Sequence, residues 1–244
     1  MNILPANLFP KNKNHKIKKV ALLISTNYKN TKYELRGCNN DTQLIYSLLV
    51  KNLNYIKENI NLLTDYTIKK CTKDNIMYVF QNIVKESNNI DTIFIHFSGH
   101  GNNKGILLNN DEVLFNYEFK DNFLNKISKD TKIIIIFDCC KSGNYIDTKF
   151  ISNINFYILN VKILFLSACN KIQNTTEIYI NKKKMYYGIF TYFLNYIIKK
   201  YRQISWSELI YILKLLINET NKNHVQDPNI KTINYNSLDD IIKI

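Results

Sequence analysis

Unbroken apolar runs alternate along the chain with stretches in which apolar residues recur every three or four positions. The run Lys19-Val20-Ala21-Leu22-Leu23-Ile24-Ser25 reads as a strand buried on both faces. Asn39, Asn40 and Asp41 then offer caps for a helix that keeps Leu44, Ile45, Leu48 and Leu49 on one side. A short strand is predicted around Ile60–Leu63, and Thr72 as the cap of a helix through Ile76, Val79, Phe80 and Ile83. Thr92–Phe97 and Lys132–Phe137 have the unbroken character of central strands. Between them, Ile106–Leu108 and Val113–Phe115 flank Asn109-Asn110-Asp111 and read as a hairpin, with a helix capped by Asn116 after it. A fifth core strand is predicted over Val161–Ser167, followed by a Lys-rich loop at 182–184 and helices over Tyr187–Tyr201 and Ser207–Glu219. This alternation predicts an α/β fold: one mostly parallel sheet of about six strands with helices on both faces, in a single domain.

Composition narrows the function more than the fold. With 244 residues, 45% hydrophobic and 13% aromatic, the chain has enough apolar material for a large core. Only 6 Gly and 3 Pro exclude collagen-like, mucin-like and linker-dominated classes. Lys and Arg number 33 against 20 Asp and Glu, a formal net charge of +13, yet arginine occurs only at Arg36 and Arg202. The excess follows a general Lys/Asn/Ile/Tyr bias, and no helix-turn-helix, RNP-like or zinc signature accompanies it, so no specific nucleic-acid partner is expected. No apolar run approaches the ~20 residues of a membrane span. Cys38, Cys71, Cys139, Cys140 and Cys169 are odd in number and lack CxxC spacing, which predicts a reducing, cytoplasmic setting.

The candidate chemistry sits where two core strands end. One runs into Phe97-Ser98-Gly99-His100-Gly101 and the other into Phe137-Asp138-Cys139-Cys140-Lys141-Ser142-Gly143. In such sheets, sites form beyond the carboxyl ends of the strands. A histidine and a cysteine there are the parts of a thiol nucleophile and its proton acceptor. Residues two apart in a strand point the same way. Cys140 therefore shares a side with Asp138, His100 with Ser98, and Cys139 faces away. His96 lies four residues before His100, but on a strand, so it reads as a packed core histidine rather than half of a zinc helix.

The chain resembles the metacaspases, caspase-like cysteine peptidases. The resemblance rests on Tyr33-Glu34-Leu35-Arg36-Gly37-Cys38-Asn39-Asn40-Asp41, the Ser98–Gly101 box and the Asp138–Gly143 box. Ser167-Ala168-Cys169 with Gln173, Gly188-Ile189-Phe190-Thr191, and Gln226-Asp227-Pro228 follow in family order. The resemblance implies a caspase-like fold over residues 18–234, with a large-subunit-like part to about 155 and a small-subunit-like part from about 156. A basic extension over 1–17 would precede it and a tail over 235–244 would follow. It further implies His100 and Cys140 as the catalytic dyad, the backbone N–H groups of Gly101 and Cys140 as the oxyanion hole, and a monomer. Cys38, Asp41, Ser98 and Asp138 would line the pocket for the residue before the scissile bond. Cys38 and Asp41 are three apart at a helix start and share a face, which agrees. Two carboxylates suit a guanidinium or ammonium, so protein or peptide substrates with Arg or Lys before the scissile bond are expected.

Many metacaspases need calcium, and Asp147 resembles one ligand position of the family, with Asp111, Glu112, Glu118 and Asp121 nearby in sequence. Lys141 stands where most members have histidine; alternation turns it away from Cys140. Lys182, Lys183 and Lys184 have two readings: a site where an enzyme cutting after lysine processes itself, or a solvated charge run. The alternative to an enzyme is a catalytically silent caspase-fold scaffold with a basic anion-binding surface.

Overall fold

The computed structural model describes residues 19–128, 131–146, 161–201, 203–222, 225–235, 237–238 and 242. Asp147, the 1–17 extension and most of the 235–244 tail lie outside the described residues. Five strands run parallel: β1 (Lys19–Ser25), β2 (Ile60–Thr64), β3 (Thr92–Ser98), β6 (Lys132–Asp138) and β7 (Lys162–Ser167). A sixth, β10 (Asn229–Ile233), joins β7 antiparallel, giving the order β10-β7-β6-β3-β1-β2. The hairpin β4 (Gly105–Leu107) and β5 (Val113–Phe115) forms as the sequence predicts, and a second hairpin pairs β8 (Glu177–Ile180) with β9 (Met185–Gly188).

The sheet's apolar runs supply two cores, because alternate residues leave it on opposite sides. Ile133, Ile135, Phe137 and Cys139 pack with Ile76, Val79, Phe80 and Ile83 of α2 (Lys73–Glu86) and with Phe119 of α3 (Asn116–Asn122). Ile134 and Ile136 pack on the other side against α1 (Cys38–Asn52), α4 (Ile189–Lys200) and α5 (Trp206–Thr220). Each fully buried Ile or Leu contributes about 2 kcal/mol, so the cores hold the strand ends in place. Those ends are polar and in register: Thr64, Ser25, Ser98 and Asp138 lie side by side.

Local chemistry shifts several predicted boundaries. Thr72 caps α2 as expected, its Oγ1 accepting from Asn75 N at 3.4 Å. Ser205 and Glu208 make a reciprocal capping box at the start of α5. Asn39, Asn40 and Asp41, however, are inside α1 and do not cap it; Gly37 occupies the cap position without a side-chain bond. Asn116 is likewise the first residue of α3, whose start is fastened by Glu118 accepting from Phe115 N at 2.9 Å. Tyr187 and Gly188 belong to β9, so the helix predicted from Tyr187 begins at Ile189.

Candidate active site

The carboxyl ends of β3 and β6 meet the amino end of α1 and the β8–β9 hairpin around a cavity of about 100 Å³. His100, Cys140, Cys38, Asp41, Ser98 and Asp138 all line it. Leu35, Gly99, Thr175, Thr176, Glu177 and Gly188 complete the wall. The predicted side-chain alternation is visible here: Cys139 is fully buried in the core, while the half-buried Cys140 opens on the cavity with Asp138.

His100 is positioned by two tyrosines. Tyr28 has its buried hydroxyl between the His100 backbone N–H, from which it accepts at 2.8 Å, and Leu107 O, to which it donates at 2.8 Å. The Tyr28 ring lies 4.7 Å from the imidazole, and burial pushes its hydroxyl pKa up, so it stays a donor. At the other end, His100 Nε2 is 2.8 Å from Tyr33 O. A carbonyl only accepts, so Nε2 carries the hydrogen and, in the neutral ring, Nδ1 keeps the lone pair. That tautomer is the one a base needs if Nδ1 is to take a thiol proton.

Beyond Cys140 the chain leaves strand geometry. Lys141 has φ 56° and donates its N–H to Gln173 O at 2.9 Å, so its side chain is turned by a left-handed residue and not by the alternation expected from the sequence. Cys140 Sγ is 3.9 Å from Thr175 Oγ1. Gly101 faces Ile106 across an isolated bridge flanked by Leu107 N donating to His100 O (2.9 Å) and Asn102 N donating to Gly105 O (3.0 Å). In that pattern the Gly101 N–H stays out of the ladder. A Cβ on Gly101 would lie 2.7 Å from Cys139 Sγ and 2.8 Å from Cys140 O, so only glycine brings this N–H so close to the Cys140 backbone.

Two fully buried carboxylates form the floor. Asp41 accepts from Ser98 Oγ at 2.8 Å and from Gly188 N at 2.9 Å. Asp138 Oδ2 accepts from Thr191 Oγ1 at 2.7 Å and from Thr191 N at 3.1 Å. Gly188 lies between them: a Cβ there would collide with Asp138 Oδ2 and come within 2.9 Å of Asp41 Oδ2. Burial pushes the Asp138 carboxyl up to about 6 against the Thr191 bonds that lower it, and Glu177 raises it further. Asp41 is pushed well above the usual carboxylate range, by burial first and by Asp138 next. Burial also raises the Cys38 thiol, which stays protonated. A buried pair of acids with no cation beside it among the described residues is an electrostatic arrangement that a guanidinium or ammonium would relieve.

Several contributors have no sequence signal. Glu177, on a short hairpin far along the chain, accepts from Arg36 N at 2.9 Å and from Gly37 N, tying β8 to the start of α1. Tyr28 and Thr175 reach the site only through the fold, and Tyr33 and Thr191, though part of the family-like motifs, carried no role there. Lys182–Lys184 form the turn of the β8–β9 hairpin, closed by Lys183 N donating to Ile180 O at 2.9 Å. Of the carboxylates expected near a calcium site, Glu112 accepts from Lys73 N, Glu118 pairs with Lys73 at 3.0 Å and Asp121 accepts from Asn125, while Asp111 is exposed at the hairpin turn. Among the described residues no three His, Cys, Asp or Glu side chains converge on a metal position.

Comparison with known proteins bears on the same segment. The family model described as metacaspase, peptidase C14 domain, matches residues 18–149. Metacaspase-1A of Aspergillus terreus is 33% identical over 153 residues, covering 55% of this chain and 38% of its own length. Metacaspase-6 of Arabidopsis thaliana is 34% identical over 145 residues, covering 53% and 39%. Metacaspase-1A of Neurospora crassa is 32% identical over 150 residues, covering 54% and 33%. The chain thus matches these curated relatives over less than two fifths of their length. The matched segment runs from β1 through both polar strand ends, more than half of the sequence, and the sheet built on it is caspase-like: this chain belongs to the metacaspase family.

Proposed function

We propose that the protein is a cysteine endopeptidase that cleaves after Arg or Lys, with Cys140 as nucleophile and His100 as proton carrier. The observation that carries this reading is one cavity lined by a thiol, an imidazole and two buried carboxylates. Asp41 and Asp138 take the cationic side chain of the substrate and bring its carbonyl carbon to Cys140. The Cys140 thiol gives its proton to His100 Nδ1 as sulfur attacks that carbon, and the Gly101 and Cys140 N–H groups receive the developing oxyanion. His100 then protonates the leaving amine, and the peptide bond breaks to leave a thioester. Water, deprotonated by His100, attacks the thioester, and the acid product leaves with the thiol restored.

Calcium activation belongs to the same reading, by family likeness, with Asp147, outside the described residues, as the candidate ligand; Glu112 and Glu118 are already bonded to Lys73. Self-processing after Lys182, Lys183 or Lys184 belongs to the same reading, and the exposure of these lysines supports it. The hairpin must open before a lysine of its turn is read as an extended segment, so cleavage there is expected to be slower than in a free peptide. We place the enzyme in the cytoplasm as a monomer by family likeness.

Fluorogenic peptides ending in Arg, Lys or Asp, tested with calcium or with a chelator against wild type and Cys140→Ala, decide the reading. Turnover after Arg and Lys that vanishes in Cys140→Ala is the expected result. Cleavage after Asp would overturn the pocket assignment. Absence of turnover in every condition would favour the silent scaffold.

A further inference from the structure

Behind the acidic floor lies a polar chain that the proposed chemistry does not use. His96 on β3 is fully buried, between residues of the α1/α4 core, and its Nε2 is 3.4 Å from Thr191 Oγ1. Thr191, in the first turn of α4, gives both its N–H and its hydroxyl hydrogen to Asp138 Oδ2. A threonine hydroxyl has one hydrogen. If that hydrogen is on Asp138, the bond from His96 has to come from an Nε2–H, which leaves Nδ1 as a lone pair; that Nδ1 is buried with no hydrogen-bond partner. A leucine would fill this core position without leaving a polar atom unsatisfied, so the histidine's donor is the feature that needs a role.

We propose that His96 and Thr191 are positioning residues of the specificity pocket: His96 donates to the Thr191 hydroxyl, commits its hydrogen to Asp138 Oδ2, and so leaves Oδ1 to the substrate cation. This rests on the pocket reading of the preceding subsection. His96 suits the task because burial holds its pKa down to about 3, so it remains a neutral, single-tautomer donor across the working range. The acidic groups that share the cavity with Asp138 are Asp41 of α1 and Glu177 of β8, and the Cys38 thiol of α1 lies on it too. None of these changes when His96 or Thr191 is replaced.

The test uses full-length Cys140→Ala protein, so it does not depend on turnover. Nitrogen-15 NMR of the histidine rings is expected to show His96 as the Nε2–H tautomer; an Nδ1–H tautomer would overturn the proposal without any substitution at that site. Carbon-13 NMR of the aspartate carboxyls then follows Asp138. Thr191→Val is expected to raise its titration midpoint, and His96→Leu to raise it in the same direction. The double variant should go no further than Thr191→Val alone, and His96→Gln, which keeps a donor, should restore the original value. An unmoved midpoint in folded His96→Leu, or an equal shift when Thr191 is already valine, would overturn it. With Cys140 restored, His96→Leu should raise KM for an Arg peptide about fivefold with kcat nearly unchanged; a fall in kcat at constant KM would count against a pocket role. Titration of benzamidine, a small amidinium, into the parent protein reads the pocket separately: if it does not bind while the Asp138 midpoint still moves, the pocket reading fails and the chain from His96 through Thr191 to Asp138 stands.

Discussion

Asp138 illustrates how a residue can work against the fold that holds it. Its carboxyl is held at about 6, above the ordinary 3.8, so the folded protein keeps a proton there that the unfolded chain releases. Stability from this group is therefore fullest below the unfolded value and is lost as pH rises through about 6, a change of about 3 kcal/mol for a shift of this size. Asp138→Asn keeps an oxygen for Thr191 and removes the charge. We expect urea unfolding at pH 5 and pH 8 to show wild type losing stability across that interval relative to Asp138→Asn, while the variant loses most of its kcat/KM on Arg peptides. A variant that follows wild type at both pH values would place the strain elsewhere. At this scale the sequence was informative where period-two alternation applies: it put Cys140 and Asp138 on one side and Cys139 on the other. It marked Thr191 within the Gly188–Thr191 motif but not its bond to Asp138, 53 residues away, because no periodicity links a helix start to a distant strand end. The left-handed φ of Lys141 likewise has no sequence signature.

The β8–β9 hairpin does more for the site than its length suggests. Glu177 bonds the N–H groups of Arg36 and Gly37, Tyr186 O accepts from Asn40 Nδ2 at 2.8 Å, and Gly188 N bonds Asp41. Of these, the Gly37 bond satisfies an N–H of the uncapped α1 end, where Asn27 Oδ1 also accepts from Asn39 N at 3.1 Å, and the others pin the hairpin to the helix. Glu177→Ala should cost about 1–3 kcal/mol through the unpaired amides. Hydrogen exchange would read this as faster exchange at Arg36 and Gly37, with exchange in the core of α2 unchanged; equal acceleration everywhere would mean global destabilisation instead. The hairpin was not legible because its turn has Lys184 in the left-handed position (φ 54°), where Gly or Asn would have announced it. The central strands were legible for the opposite reason, since long Ile/Leu runs admit few other structures. β10 escaped notice because Asn229-Ile230-Lys231-Thr232-Ile233 is a short, half-buried edge strand.

Taken whole, the molecule carries +13 while its pocket is acidic. The two act over different distances: beyond about 8 Å at physiological salt the general charge is screened, whereas contacts within the pocket are not. For a peptide with several lysines around the scissile bond, kcat/KM is expected to rise as salt increases from low ionic strength, through faster association. A peptide with neutral flanks and the same Arg should respond little. If both peptides lose activity equally with salt, the pocket and not the global field governs encounter.

The family-matched segment ends at residue 149, yet it is not a self-sufficient part. It carries the thiol, the imidazole and both acids, but Gly188 and Thr191, which hold those acids, come later, as does β7, which covers the edge of β6. Recombination that transplanted only the shared segment would deliver the Cys140 thiol with an open sheet edge, Asp138 without its Thr191 donors and Asp41 with Ser98 alone. The inheritable module is accordingly longer than its recognisable signature, and a gene fusion drawn at that border would separate chemistry from selectivity.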